Sequence, residues 1–200
     1  PPPQVKTLKA AVVDRREAMQ LLMGYNSFNG YVWNKLFDLQ LIRENDIRFH
    51  ADYPACEDTM FVGSYLYHCS RVCVTEECLY CYRQVSGGAN RGRYSGRKAY
   101  DPKWMSVFEM TEYMADLYKD DAVTAACRLH EVREAGIVLR SMEAAGYHGA
   151  DHARLKGILR RGAGLFFRDE NSGRSQKLSV LLSCISPKLE LAVWKLRNRK

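Results

Sequence analysis

The feature that most constrains the fold is a helical pattern that fills the second half of the chain. From Asp101 and Pro102 to the C-terminus, apolar residues recur at helical spacing. Glycine or asparagine interrupts this pattern at residues 146–149, 162–164 and 171–173. We therefore expect several helices that together form a helical C-terminal appendage over residues 101–200.

The first hundred residues mix helix and strand signals. Asp14 precedes a helical pattern that ends near Gly24, and a second short helix is expected around residues 39–42. Alternating or β-branched residues predict short strands at residues 47–50, 71–74 and 79–83. The predicted fold class is α+β, mainly helical, with a few short strands in residues 1–100.

The composition indicates in which cellular compartment the protein is found. The chain has 200 residues, of which 46% are hydrophobic, so it can bury a core, and no apolar run reaches the length of a membrane span. Seven cysteines are an odd number, which argues against a disulfide framework and for reduced thiols. We therefore expect a cytoplasmic protein, in solution or at the inner face of the membrane.

The net charge of +7 is unevenly distributed. Basic residues dominate residues 83–103, which include a glycine-rich loop, and the C-terminal residues 174–200. Such patches attract nucleic acids, phosphorylated ligands or anionic membranes.

Ser186 and Pro187 open a predicted helix in the basic tail. One face of that helix carries Leu189, Ala192, Val193 and Leu196. This pattern is compatible with two placements of the helix, packed on its own domain or lying on an anionic membrane.

Two adjacent carboxylates precede an apolar run in the segment ACEDTMFV, residues 55–62. Phe61, Tyr65 and other apolar residues have helical spacing, so Glu57 and Asp58 would lie at the start of a helix. Carboxylates there cap the free N–H groups and interact favourably with the helix dipole. A catalytic base is the alternative role for the same residues.

Four short motifs follow one another in the first half of the chain. They are WNKLF at residues 33–37, IRF at 47–49, EDTMF at 57–61 and LYCYR at 79–83. In this order and spacing they resemble the second half of family 2 glycosyltransferases, in particular bacterial enzymes that build capsules, exopolysaccharides, lipopolysaccharide or wall glycans. The resemblance covers roughly residues 14–86. It implies that residues 1–100 form the acceptor side of a domain with the GT-A fold.

The resemblance also implies an activity, the transfer of a sugar from a nucleotide-sugar donor to a glycan or lipid-linked acceptor with inversion at the anomeric carbon. In that family the Glu-Asp pair lies where the acceptor meets the donor sugar. Asp58 is then the expected base that takes the acceptor proton, and Glu57 is its expected partner. The expected substrate-binding residues are Trp33, Asn34, Lys35 and Arg83. Leu36 and Phe37 are expected in the core. The alternative places Trp33 in the core as well, with Lys35 and Arg83 merely solvated.

The chain departs from the family in one large respect. It lacks the nucleotide-binding strands and the Asp-x-Asp motif that holds a divalent cation, Mg or Mn, against the donor diphosphate. We therefore expect a C-terminal fragment of a longer enzyme that binds no cofactor and is inactive alone. A small sheet without its other half would expose an edge, which favours pairing of two copies.

Other interpretations compete with the resemblance. Cys78 and Cys81 have zinc-knuckle spacing and lie near Cys69, Cys73 and His68. Residues three apart in a strand point to opposite faces, so we predict buried free thiols and no metal site. A basic nucleic-acid-binding module or a helical protein-interaction domain without catalysis is the alternative function. We prefer the glycosyltransferase and expect no nucleic-acid partner.

Overall fold

The computed structural model describes residues 10–24, 28–75, 77, 79–83 and 100–198. Within these ranges the fold is mainly helical, as the sequence predicts, and it contains one two-stranded antiparallel sheet. The helices are α1 (Arg15–Met23), α2 (Leu39–Glu44), α3 (Glu57–His68), α4 (Ser106–Tyr118), α5 (Asp121–Ala145), α6 (Ala150–Arg168), α7 (Arg174–Ile185) and α8 (Pro187–Arg197). A 3₁₀-helix covers Pro102–Met105, and the strands are β1 (Ala11–Val13) and β2 (Val72–Val74).

The sheet pairs β1 with β2, with Val12 opposite Cys73. β2 confirms the strand predicted at residues 71–74, whereas the strands predicted at 47–50 and 79–83 are wrong, because both segments are irregular. Alternation predicts an extended chain, but a strand also needs a partner, and the described residues offer these segments none. Residues 47–50 instead pack on α3, where the rings of Phe49 and Phe61 stack 4.4 Å apart.

Local signals set the ends of several helices. Asp14 caps α1 by accepting a hydrogen bond from the backbone N–H of Glu17 at 2.8 Å. α5 ends at Gly146, whose φ of 71° lies in the left-handed region that favours glycine. Ser186 is the N-cap of α8 and Pro187 its first residue, as predicted.

The long helix α5 is the centre of the packing, because it contacts α1, α4, α6, α7 and α8. Two buried clusters lie along it. The first includes Met19, Leu22, Met60, Val62, Met110, Met114 and Val123. The second includes Trp104, Phe108, Leu139, Leu155, Leu159 and Phe166. The first cluster draws on both sides of the boundary predicted near residue 100, and the division into two domains stays a prediction.

Helix α6 runs without interruption through Gly162 and Gly164, so the break predicted there is wrong. A Cβ built at Gly162 would overlap Cγ2 of Val132 on α5. The missing side chain therefore allows two helices to approach closely and does not mark a turn.

Gly162→Ala should lower the free energy of unfolding by about 1–3 kcal/mol, because the added methyl must displace Val132. Gly164→Ala is the matched control, since the nearest neighbouring atom to its Cβ is Arg168 Nη2 at 3.8 Å. Alanine should stabilise α6 there by about 0.5–1 kcal/mol. Urea unfolding followed by circular dichroism measures both effects. Equal stabilisation by the two alanines would contradict the close approach of α5 and α6.

Candidate active site at the start of helix α3

Glu57 and Asp58 are the first two residues of α3, but neither is its N-cap. The N-cap is Cys56, and no side chain makes a capping hydrogen bond at this end, so the predicted capping by Asp58 is wrong. A carboxylate in the first turn still interacts favourably with the helix dipole. Cys56 Sγ donates to the backbone oxygen of Ser106 at 3.3 Å, which ties the start of α3 to the start of α4. Both acids therefore project from an anchored helix end.

The loop of residues 28–35 lies against the same turn of α3. Gly30 approaches Thr59 so closely that a Cβ on Gly30 would overlap Thr59 Oγ1. Any residue other than glycine would push the loop away from the helix. Burial is the main influence on the pKa of the Lys35 amine and lowers it, while the charge of Asp58 acts in the opposite direction. An acid and an amine that are distant in sequence thus interact electrostatically near the helix start.

The amine of Lys35 organises this loop, because its Nζ lies within hydrogen-bonding distance of four oxygens. These are the backbone oxygens of Asn29 and Tyr31, both at 2.7 Å, that of Phe28 at 3.2 Å, and Asn34 Oδ1 at 2.8 Å. Burial lowers the pKa of Lys35 to about 8, with Asp58 acting in the opposite direction. The alternative that Lys35 is merely solvated is therefore wrong.

Trp33 is the centre of an aromatic cluster. Its ring centroid lies 5.2 Å from that of Tyr31, 4.7 Å from that of Tyr80 and 5.1 Å from that of Tyr82. Tyr80 and Tyr82 are two residues apart and contact the same ring, as in an extended chain. All three tyrosines are exposed. The result is an aromatic surface open to solvent beside the Lys35 loop.

Asn34 and Arg83 differ in how firmly they are held. The Asn34 amide donates to the backbone oxygen of Phe28 at 3.1 Å and its Oδ1 accepts from Lys35, so both polar groups serve the loop. Arg83 is exposed, and no hydrogen bond or ion pair joins its guanidinium to the described residues. It follows Tyr82, which places it next to the aromatic cluster.

Leu36 and Phe37, which end the WNKLF motif and are both predicted to lie in the core, differ in burial. Phe37 is partly buried, with its ring edge-on to Phe61 at 5.4 Å and to Tyr65 at 4.9 Å. Leu36 is fully exposed, so its predicted burial is wrong. Neighbours in an extended segment point to opposite sides, and only one of them can face α3.

The structure describes Cys73 and Cys81, two of the thiols predicted to be buried, but does not describe the basic loop. Cys73 and Cys81 are exposed, so their predicted burial is wrong. Cys73 lies on the solvent face of the two-stranded sheet, and Cys81 stands between two tyrosines that face Trp33. Cys78 and the basic glycine-rich loop over residues 85–98 lie outside the described residues.

Lys35→Met should lower the free energy of unfolding by about 1.5–3 kcal/mol, the range for hydrogen bonds that a charged donor makes. The methionine fills a similar volume but leaves the loop carbonyls without their common donor. Urea unfolding measures the loss. Lys195→Met, at an exposed position in α8, is the matched control and should change stability by less than about 0.5 kcal/mol.

The loss on Lys35→Met should also depend on pH. The pKa of Lys35 is about 8 in the folded protein and its ordinary value is 10.5, so between these values the unfolded chain binds more protons. The stability contributed by Lys35 therefore rises as the pH increases from about 8 to about 10.5, and below this window the cost of burying the charge remains. The loss should be larger near pH 10 than near pH 7. A pH-independent loss would show that burial does not perturb this amine.

Comparisons with known proteins do not extend the interpretation of this site. No protein-family model, curated protein or solved structure matches the chain.

Proposed function

We propose that the chain is the acceptor side of a GT-A glycosyltransferase that inverts the anomeric carbon, with Asp58 as the catalytic base. The observation that supports this most is that the four motifs contact one another. Phe49 of the IRF motif and Phe37 of WNKLF both pack on Phe61 of EDTMF. Trp33 of WNKLF packs on the two tyrosines of LYCYR. Ring contacts thus connect the four motifs, and one of these motifs contains Asp58.

The proposed reaction is a single displacement. The acceptor hydroxyl oxygen attacks the anomeric carbon as Asp58 takes its proton, and the bond from that carbon to the nucleotide diphosphate breaks on the opposite face. Glu57 orients the acceptor by accepting a hydrogen bond from a neighbouring hydroxyl. The exposed rings around Trp33 offer apolar faces on which the C–H groups of a sugar can stack.

The donor requires groups beyond these residues. We propose that a nucleotide-binding half, as the resemblance implies, holds the nucleotide sugar together with Mg or Mn. Arg83 is placed beside the aromatic cluster and is the proposed contact to the diphosphate. Because Lys35 is engaged by loop oxygens, we propose that it positions the loop and supplies positive charge near Asp58.

The experiment is a transfer assay on a protein that joins this chain to such a nucleotide-binding half. Nucleotide sugars serve as donors and cell-surface glycan precursors as acceptors, and nuclear magnetic resonance reads the anomeric configuration of the product. A donor with an α-linkage should give a β-linked product. Retention of configuration, or turnover by this chain without the other half, would contradict the proposal.

Helix α8 packs on the protein through a face that the sequence did not indicate. Pro187, Glu190 and Leu191 are buried, whereas three residues of the predicted apolar stripe, Leu189, Ala192 and Leu196, are exposed. The neighbouring helix α7 carries a second exposed stripe. It consists of Leu178, Leu181 and Ile185. None of the described helices is both long and apolar enough to cross a membrane.

We propose that the cytoplasmic surface of an anionic membrane covers these stripes. Lys188, Lys195 and Arg197 of α8 are exposed. Glu190, the acid of this helix, is buried and neutralised by Arg140, with a Glu190 Oε1 to Arg140 Nη1 distance of 2.8 Å. The solvent-facing side of α8 is therefore apolar and positive, as in helices that lie on anionic lipids. A lipid-linked acceptor would lie in the same membrane and so be close to the protein.

Combining Leu189→Ser with Leu196→Ser should weaken binding to anionic vesicles by about tenfold or more, because two exposed apolar side chains are lost. Co-sedimentation with vesicles of phosphatidylglycerol and phosphatidylcholine measures the bound fraction, which should fall as salt rises. Leu36→Ser removes a fully exposed leucine elsewhere and is the matched control. Point changes are preferable to deleting α8, which would remove Glu190, the ion-pair partner of Arg140, and uncover the surface on which α8 packs. Absence of binding by the unchanged chain at low salt would contradict the membrane contact.

A further inference from the structure

Three side chains converge where α5 ends and α6 begins. Glu143, His148 and His152 each offer one ligand atom, and these atoms all lie within 4.8 Å of one another. Glu143 Oε1 is 2.8 Å from His152 Nε2 and 3.8 Å from His148 Nδ1. The sequence spacing does not indicate this grouping, because a helix end, a turn at Gly146 and a new helix separate the three residues.

We propose that Glu143, His148 and His152 bind a transition-metal ion of the Zn²⁺ type. Two imidazoles and one carboxylate are a ligand set that zinc uses with an open fourth position. Bonds of about 2.0–2.2 Å place tetrahedral ligand atoms about 3.3–3.6 Å apart. The two distances from Glu143 Oε1 lie on either side of that range. His148 is 47% exposed, so its ring can turn toward the metal and the fourth position can face solvent.

A positive charge beside the Glu143 carboxylate is favourable. Its side chain is only 4% exposed, and it lies in the last turn of α5, where the helix dipole disfavours a negative charge. A buried charge is costly unless it is paired or coordinates a metal. A divalent ion held between Glu143 and the two imidazoles supplies that positive charge.

The backbone that carries the histidines is held in place. The Tyr100 hydroxyl donates to Asp151 Oδ2 at 3.0 Å, and the rings of Tyr100 and Tyr147 lie 4.7 Å apart. Gly146 closes α5 with its N–H bonded to the backbone oxygen of Glu143 at 3.2 Å. The backbone that carries the ligands therefore needs little rearrangement to bind the ion, which favours affinity.

The test is a titration of the untagged chain with ZnCl₂, measured by isothermal titration calorimetry. We expect a site that binds one ion per chain with micromolar or tighter affinity. His148→Ala should weaken this site by about tenfold or more, since a direct ligand matters at least as much as an outer-shell partner. Because His148 is half exposed, the variant should fold. His68→Ala changes an exposed histidine at the end of α3 and should leave the affinity unchanged.

Cobalt substitution separates this site from the exposed thiols of Cys73 and Cys81, which also attract zinc. Co²⁺ in the proposed site should give visible bands without the near-ultraviolet charge-transfer band of thiolate ligands, and His148→Ala should remove the visible bands. Equal zinc affinity of the unchanged chain and His148→Ala would overturn the proposal. Bound Co²⁺ with thiolate charge transfer alone would also overturn it. Neither outcome bears on Asp58 or on sugar transfer.

Discussion

Glu190→Ala should lower the free energy of unfolding by about 3–5 kcal/mol, the range for removing one partner of a buried ion pair. Arg140 Nη1 lies 2.8 Å from Glu190 Oε1, and the two side chains are 10% and 3% exposed. Without the carboxylate the guanidinium stays charged and buried, packed on the Trp194 ring at 5.0 Å. Ser179, whose hydroxyl donates to the same oxygen at 2.6 Å, also loses its acceptor.

Two further variants decide whether the unpaired charge causes the loss. Arg140→Met combined with Glu190→Leu should recover most of the stability, because no buried charge remains without a partner. Glu170→Ala removes an exposed acid and should change stability by less than about 0.5 kcal/mol. Urea unfolding followed by circular dichroism compares all three. A loss below about 1 kcal/mol for Glu190→Ala is typical of a surface pair and would contradict the buried geometry.

The helix ends were predictable where the signal is local. Asp14 before α1, and Ser186 with Pro187 before α8, act through bonds within one turn, so the sequence contains the whole cause. Gly162 shows the opposite case. Its meaning depends on Val132 of another helix, and the sequence does not indicate that the two residues meet. A glycine that permits close helix packing then resembles a helix break.

The segment at residues 79–83 was predicted as a strand but is irregular. Its alternation is reflected only in Tyr80 and Tyr82, which both contact Trp33. Whether such a segment joins a sheet depends on a neighbouring strand, which periodicity does not reveal. Trp33 takes the place of a strand partner by stacking on both rings.

The candidate site shows the same limit. The acid pair at residues 57 and 58 was visible in the sequence, but the packing of the Lys35 loop on α3 was not. Gly30 carries a turn signal that says nothing of Thr59, although the loop lies against α3 at this pair. The loop role of Lys35 depends on four oxygens that converge only after folding.

Asp58→Asn should lower the rate of sugar transfer by about 10²–10⁴-fold, the range for loss of a general base. Asparagine keeps the size of the side chain but cannot take a proton from the acceptor hydroxyl. Donor affinity should change little, because the proposed diphosphate contacts lie elsewhere. The fold should persist, since neither the N-cap nor any hydrogen bond to a described residue depends on the Asp58 carboxylate. Glu57→Gln, one residue earlier, is the matched control and should cost less.

The most direct measurement of the proposed function is the turnover rate of the unchanged protein, Asp58→Asn and Glu57→Gln, each joined to a nucleotide-binding half. All three are assayed at saturating donor and acceptor, and circular dichroism verifies their folding. A loss of at least about a hundredfold for Asp58→Asn, with a smaller loss for Glu57→Gln, is the predicted result. Near-normal turnover by folded Asp58→Asn would contradict the assignment of Asp58 as the base.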